Sequence, residues 1–188
     1  MKIKIMLLLS IFAFLFVGCD INVVNDPLPQ AEIYHPPSSL LEIAIVGKVP
    51  FDSVRNVNYI SKNLKDIVED PTIHYDGLII TKDYLAEAAK QEYRDFFSNL
   101  TYPVFFMGTE NLLAKVFLDD RLTLDAARID GFGANVSGFV LSEGKHLEWG
   151  LYLPDNPTEA DKDINMVLRI SNILEDFKRK WNKGLHSD

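Results

Sequence analysis

The longest apolar run in the chain, Ile5 to Val17, is broken only by Ser10; Lys2 and Lys4 precede it, and Gly18 and Cys19 follow. At ~1.5 Å per residue a helix over this run covers about 20 Å of a hydrocarbon core roughly 30 Å thick, too little to span it. A charged start, a short apolar core and a small residue are the layout of an export signal, expected over 1–18. The next stretch, DINVVNDPLPQAEIYHPPSS (20–39), loses any period, and its Pro27, Pro29, Pro36 and Pro37 bias the backbone to extended forms. Residues 19–39 are expected to form a Pro-rich tether; the alternative is that AEIYH packs on the body as an edge segment.

From Leu40 the pattern becomes that of one folded domain, 40–188. LEIAIVGKV (41–49), DGLIIT (76–81) and YPVFFMGT (102–109) contain short continuous apolar runs, the mark of strands buried on both faces of a parallel sheet. Val54, Val57, Ile60, Leu64 and Ile67 recur at helical spacing, as do Leu85, Ala89, Phe96 and Leu100, and ENLLAKVFLDD (110–120) repeats the strand-then-helix rhythm. After residue 120 the rhythm changes. SGFVLSEGKHLEWGLYL (137–153) alternates on both sides of SEGK, predicting a β-hairpin with Phe139, Leu141, Leu147, Trp149 and Leu151 on one face. Thr158, with Asp161 three residues on, predicts a capped C-terminal helix through Ile164, Val167, Leu168, Leu174 and Phe177 to about Trp181. The expected fold is α/β, a three-layer α/β/α arrangement whose mainly parallel sheet is extended by a C-terminal β-hairpin, flavodoxin-like in outline.

Cys19 is the only cysteine, and it stands directly after the export signal. Phe16-Val17-Gly18-Cys19 resembles the lipobox of bacterial lipoprotein precursors, with Phe16 where Leu is usual. The resemblance implies that the Cys19 thiol is acylated, that the chain is cut before it, and that the new amino end is often acylated too; an ordinary signal peptide cut nearby is the alternative. Two or more acyl chains make a firm anchor where one binds reversibly. Loss of residues 1–18 removes Lys2 and Lys4, leaving 17 Lys and Arg against 27 Asp and Glu, a net charge of −10. A body of that sign is repelled by phosphates, so nucleic acid is not an expected partner, and membrane contact is expected through the N-terminal lipid alone.

The chemical motifs are weak. A phosphate-binding loop around Gly47-Lys48 needs glycine at position 42 and Ser or Thr at 49, where the chain has Glu42 and Val49. GFGANVSG has Gly131 and Gly133 but Val136 where a dinucleotide loop needs glycine. The histidines His35, His74, His146 and His186 have no short metal-ligand spacing, and neither a metal nor another cofactor is expected. What survives is a set of polar groups expected at the carboxyl ends of parallel strands, where open α/β sheets bind ligands: Lys48, Asp52, Asp83 and Glu110, with Ser53, Lys82, Thr109 and Asn111 nearby. Helix capping alone accounts for Asp52, Ser53, Asp83 and Thr109, and is the stronger of the two readings.

YDGLIITKDYLAEA and EWGLYL resemble segments of small uncharacterised lipoproteins of Gram-positive bacteria, a likeness running loosely from 40 to 175. It implies a fold and an address on the outer face of the plasma membrane, and no activity. Asp20 resembles the retention residue of Gram-negative lipoproteins, which favours the same membrane. The expected function is that of a non-catalytic binding or interaction module at the cell surface, with a protein or small-molecule partner. The alternative is a small-ligand or solute-binding protein, or an enzyme, using the strand-end groups.

Overall fold

In the computed structural model, which describes residues 34–48, 53–69, 73–131, 133–142 and 145–184, the continuous apolar runs form the strands expected of them. The first is β1 (Leu41–Val46), followed by β2 (Val57–Lys62), β3 (Gly77–Ile80), β4 (Val104–Met107), β5 (Val136–Ser142) and β6 (Lys145–Leu151). They make one six-stranded sheet in the order β2-β1-β3-β4-β5-β6. Pairings among β2, β1, β3 and β4 are parallel; β4 with β5 and β5 with β6 are antiparallel, so the sheet is mixed.

Both faces are covered, and strand alternation divides the apolar residues between them. Ala44, Val46, Leu78, Ile80, Val104, Phe106 and Phe139 face one core, packed by α1 (Leu64–Glu69), α2 (Leu85–Ala88) and α3 (Gln91–Ser98). Leu41, Ile43, Ile45, Ile79, Phe105, Val136 and Leu151 face the other, which takes Met166, Ile170 and Leu174. Those three come from α5 (Ile164–Gly184), which follows the single-turn α4 (Glu159–Lys162). The predicted capping box is present at α4: Thr158 Oγ1 accepts from Asp161 N at 3.2 Å, and Asp161 Oδ2 accepts from Thr158 N at 2.9 Å. The helix expected to run on from it breaks at Asp163, whose ψ of −98° is not helical.

Three expectations from periodicity need correction. The spacing through Val54, Val57 and Ile60 belongs to a turn and a strand, because Asn56 takes a φ of 63° that no α-helix contains, and the β-branched VNYIS continues as β2. In ENLLAKVFLDD only Ala114–Phe117 is helical, as a 3₁₀ turn. The hairpin forms, but its pairing sets Ser142 opposite Lys145 and Phe139 opposite Glu148. Phe139 and Leu141 therefore point to one face and Leu147, Trp149 and Leu151 to the other. A shift of one residue would be needed to bring the apolar positions together. Trp149 instead lies on the α5 side, 5.6 Å from Phe105. The Phe105 ring lies over Gly138, where any Cβ would overlap it.

The N-terminal boundary also moves. The compact unit begins at Tyr34, within the segment read as tether. Tyr34 lies under the Arg169 guanidinium, 5.7 Å from its ring centroid, Pro37 is buried, and Pro37 O accepts from Asn56 Nδ2 at 2.8 Å. Residues 1–33, including Cys19, lie outside the described residues.

Candidate functional site

At the carboxyl ends of the parallel strands the chain closes on itself. Gly47, at a φ of 115°, lets the turn after β1 approach Thr81 so closely that a Cβ would overlap the threonine hydroxyl. Thr81 donates to Val46 O from both its amide (3.0 Å) and its hydroxyl (3.2 Å). Lys82 Nζ and Glu110 Oε1 meet at 2.8 Å. Burial pushes the Glu110 carboxyl up, but the Lys82 ammonium more than offsets this and holds it below its ordinary range. Of the proposed strand-end residues that are described, Lys48, Asp83 and Glu110, only Glu110 is engaged by a partner. Lys48 is exposed, and Asp83 is exposed within the 3₁₀ turn Lys82–Tyr84 and not at its N-cap, which is Thr81. Asp52 lies outside the described residues. Thr109 is wholly buried and caps no helix with its side chain: its hydroxyl reaches Ala134 O at 2.8 Å and Ser137 Oγ at 2.9 Å.

An open concave feature lies elsewhere. The 28 residues 108–135 between β4 and β5 fold back as two limbs. Gly108 N and Thr109 N donate to Asn135 O at 2.7 and 3.2 Å, Gly133 N to Glu110 O at 3.0 Å, Ile129 N to Asn111 O at 3.0 Å, and Leu113 N to Ala127 O at 2.8 Å. Connections this long without much regular structure of their own are uncommon in compact domains and often carry binding surfaces. Two devices dock this excursion on the body. Phe117 stacks on Phe106 with ring centroids 3.8 Å apart and planes within 5°. Arg94, on α3 and nearly buried, donates to Asp119 O (2.7 Å), Leu122 O (2.8 Å) and Ala89 O (3.1 Å). The excursion covers Phe139 and stops short of β6, so the face of β6 that carries His146, Glu148 and Gly150 is left open.

Between that face and the excursion lies an open groove of about 1120 Å³. Leu112, Leu118, Ile129 and Phe139 supply its apolar surface, and Leu113 stands exposed at its border. The His146 ring is parallel to that of Phe139, within 7°, with centroids 6.3 Å apart. Asp119 is saturated: Arg121 chelates its two oxygens at 3.0 Å each and Lys115 approaches at 3.4 Å, which holds its carboxyl well below the ordinary carboxylate range. Glu148 is exposed and pairs with no cation among the described residues. Ser137 has a direction. The single Thr109 hydroxyl proton is claimed by Ala134 O, which only accepts, so Ser137 donates to Thr109 and keeps only acceptor capacity toward the groove. On its β6 wall the groove thus offers apolar contact, hydrogen-bond acceptors and one free carboxylate, while the excursion contributes Lys115, Asp119, Asp120 and Arg121, already paired.

Sequence reasoning missed this site. Its walls come from segments joined by tertiary pairing, and its one sequence signal is the aperiodic stretch from 121 to 135 that follows the loss of helical spacing. Among the described residues, no three His, Cys, Asp or Glu side chains are grouped to hold a metal ion, and no helix is long and apolar enough to cross a membrane. The chain matches no protein-family model, no curated protein and no solved structure with which it was compared.

Proposed function

We propose that this chain is a lipoprotein held on the outer face of the plasma membrane by acyl chains on Cys19, and that its body is a non-catalytic binding module working through the groove between the 108–135 excursion and β6. The observation that carries the binding reading is the groove itself: an apolar surface of ligand-binding size, left open where the covering layer ends, with an acceptor-only hydroxyl and an unpaired carboxylate at hand. The anchor rests on the lipobox-like Phe16-Val17-Gly18-Cys19. For the architecture we propose a flavodoxin-like, three-layer relationship; the order β2-β1-β3-β4-β5 and the helices on both faces support it, with β5 reversed in direction.

The test has two arms in cells making the full chain. Labelled palmitate is expected in the parent and absent from Cys19→Ser, which should leave an uncut or soluble product; an unlabelled parent, with the variant still processed and membrane-bound, overturns the anchor. A photo-activated cross-linking residue at Leu113, 44 % exposed, is expected to form adducts that the same residue at Asp176, on the far helix, does not. Equal labelling from both positions overturns the groove as the binding surface.

A further inference from the structure

The sheet ends at β6, and the manner of its ending names a kind of partner. All seven residues of β6 pair with β5 in one continuous register, and among the described residues no backbone group bonds to the outer side of the strand. An open edge of this kind is a template for another strand. KHLEWGL has no proline and its ladder has no bulge; its charged residues, Lys145 and Glu148, are what guards this edge, and they admit only a strand of complementary charge. We propose that β6 accepts an extended segment of a partner protein as a seventh strand, one whose side chains alternate between basic and apolar. The proposal deepens the binding-module reading and rests on it.

The alternation follows from the two faces of β6. An added strand lies ~4.8 Å away, with its side chains about 5 Å from those of β6 on each face. On the groove face the neighbours are His146, Glu148 and the bare backbone of Gly150, with the acceptor of Ser137 beyond. Glu148 has no cation there, although the other groove carboxylates do, Asp119 having two and Asp120 having Arg94 at 3.7 Å. A lysine or arginine on the incoming strand meets that carboxylate across the pair. On the opposite face the neighbours are Leu147, 42 % exposed, and half-buried Trp149, which suit an aliphatic residue. The whole chain is acidic, at a net charge of −8, so long-range attraction has the same sign as the local one. A second copy fits less well. The antiparallel register that pairs all of β6 with itself is centred on Glu148 and sets carboxylate against carboxylate.

The experiment titrates the full chain, in non-ionic detergent, into a fluorescein-labelled nonapeptide of alternating lysine and valine and follows anisotropy. Saturable binding is expected, weakened at least about tenfold by Glu148→Lys. Glu69→Lys, the same charge change at an exposed side chain of α1, is expected to have little effect, and both variants should keep the parent's denaturant midpoint. The same peptide N-methylated at alternate residues on its pairing edge, and one with glutamate in place of lysine, should fail to bind. Equal weakening by the two variants reduces the effect to net charge and overturns the proposal. So does undiminished binding of the N-methylated peptide; if Leu113→Asp then abolishes that binding, the groove reading stands without strand pairing. A parent dimer dispersed by Leu147→Pro assigns the edge to a second copy and likewise overturns it. Failure of every peptide, with Leu113 adducts still forming in cells, sinks the strand proposal and leaves the binding module standing.

Discussion

At the scale of single residues, one carboxylate gathers four hydrogen bonds from the N-terminal edge of the body. Glu175 Oε1 accepts from Ser38 N and Oγ at 2.8 and 2.6 Å, and from Ser39 N and Oγ at 2.8 and 3.1 Å. These bonds favour the ionised form, the Ser38 hydroxyl foremost, and hold the carboxyl below its ordinary 4.5. The sign of the pH dependence follows. A group with a depressed folded pKa contributes stability that is fully present above its unfolded value and is lost as pH falls through the folded one. Gln is the isostere of the protonated form, so Glu175→Gln should cost about 1 kcal/mol at pH 7. That difference should vanish as the pH drops from 4.5 through the lower folded value. Denaturant midpoints of parent and variant across pH 2–7 check this, and two parallel curves over the whole range would remove the clasp.

At the scale of elements, the 108–135 excursion stands where a crossover helix was expected, and its anchoring decides whether the groove exists. Arg94 gives its guanidinium to three carbonyls, two of them on the excursion, and Asp120 adds a 3.7 Å ion pair. Arg94→Met keeps much of the apolar stem and strands those carbonyls, so the body should lose about 2–3 kcal/mol. Cleavage by a broad-specificity protease should concentrate within 108–135. A variant that loses the stability without gaining those cuts would show that Arg94 does not pin the excursion. The same element shows where the sequence stops being legible. The runs IAIV, LII and VFFM announce strands because burial on both faces demands unbroken apolar residues. Thr158 and Asp161 announce a helix start because a capping box is local. By contrast, LLAKVF has a helix-like spacing that tertiary packing overrides, Phe117 being taken by the Phe106 stack. The hairpin was visible, and its facing was not, since alternation alone leaves the one-residue register open. Lys48, Asp83 and Glu110 could be placed near strand ends from the pattern, whereas Ser137, His146 and Glu148 become a site only when β5, β6 and the excursion meet.

At the scale of the whole molecule, the question is where an anchor at Cys19 would hand over to the body. Residues 34–40 belong to the fold: Tyr34 lies on Arg169 and beside the cluster of Val54, Val167 and Leu168, Pro37 O takes the Asn56 amide, and Ser38 and Ser39 are clasped by Glu175. Lys178 Nζ then bridges Leu40 O at 3.0 Å and Asp76 Oδ2 at 2.8 Å, tying the entry to β1 to the far end of α5. A tether from Cys19 would therefore end by residue 33, and the fourteen residues 20–33 reach at most about 50 Å when fully drawn out. That is shorter than the ~70 Å available if the whole of 20–39 were free, so the groove and the open edge of β6 would be displayed closer to the bilayer. The boundary has a direct consequence for stability. A chain beginning at Leu40 lacks the Tyr34 packing and the clasp, and should unfold about 2–4 kcal/mol more easily than one beginning at Tyr34. Urea titrations of the two, with equal slopes, measure the difference. Identical midpoints would return residues 34–39 to the tether and restore its longer reach.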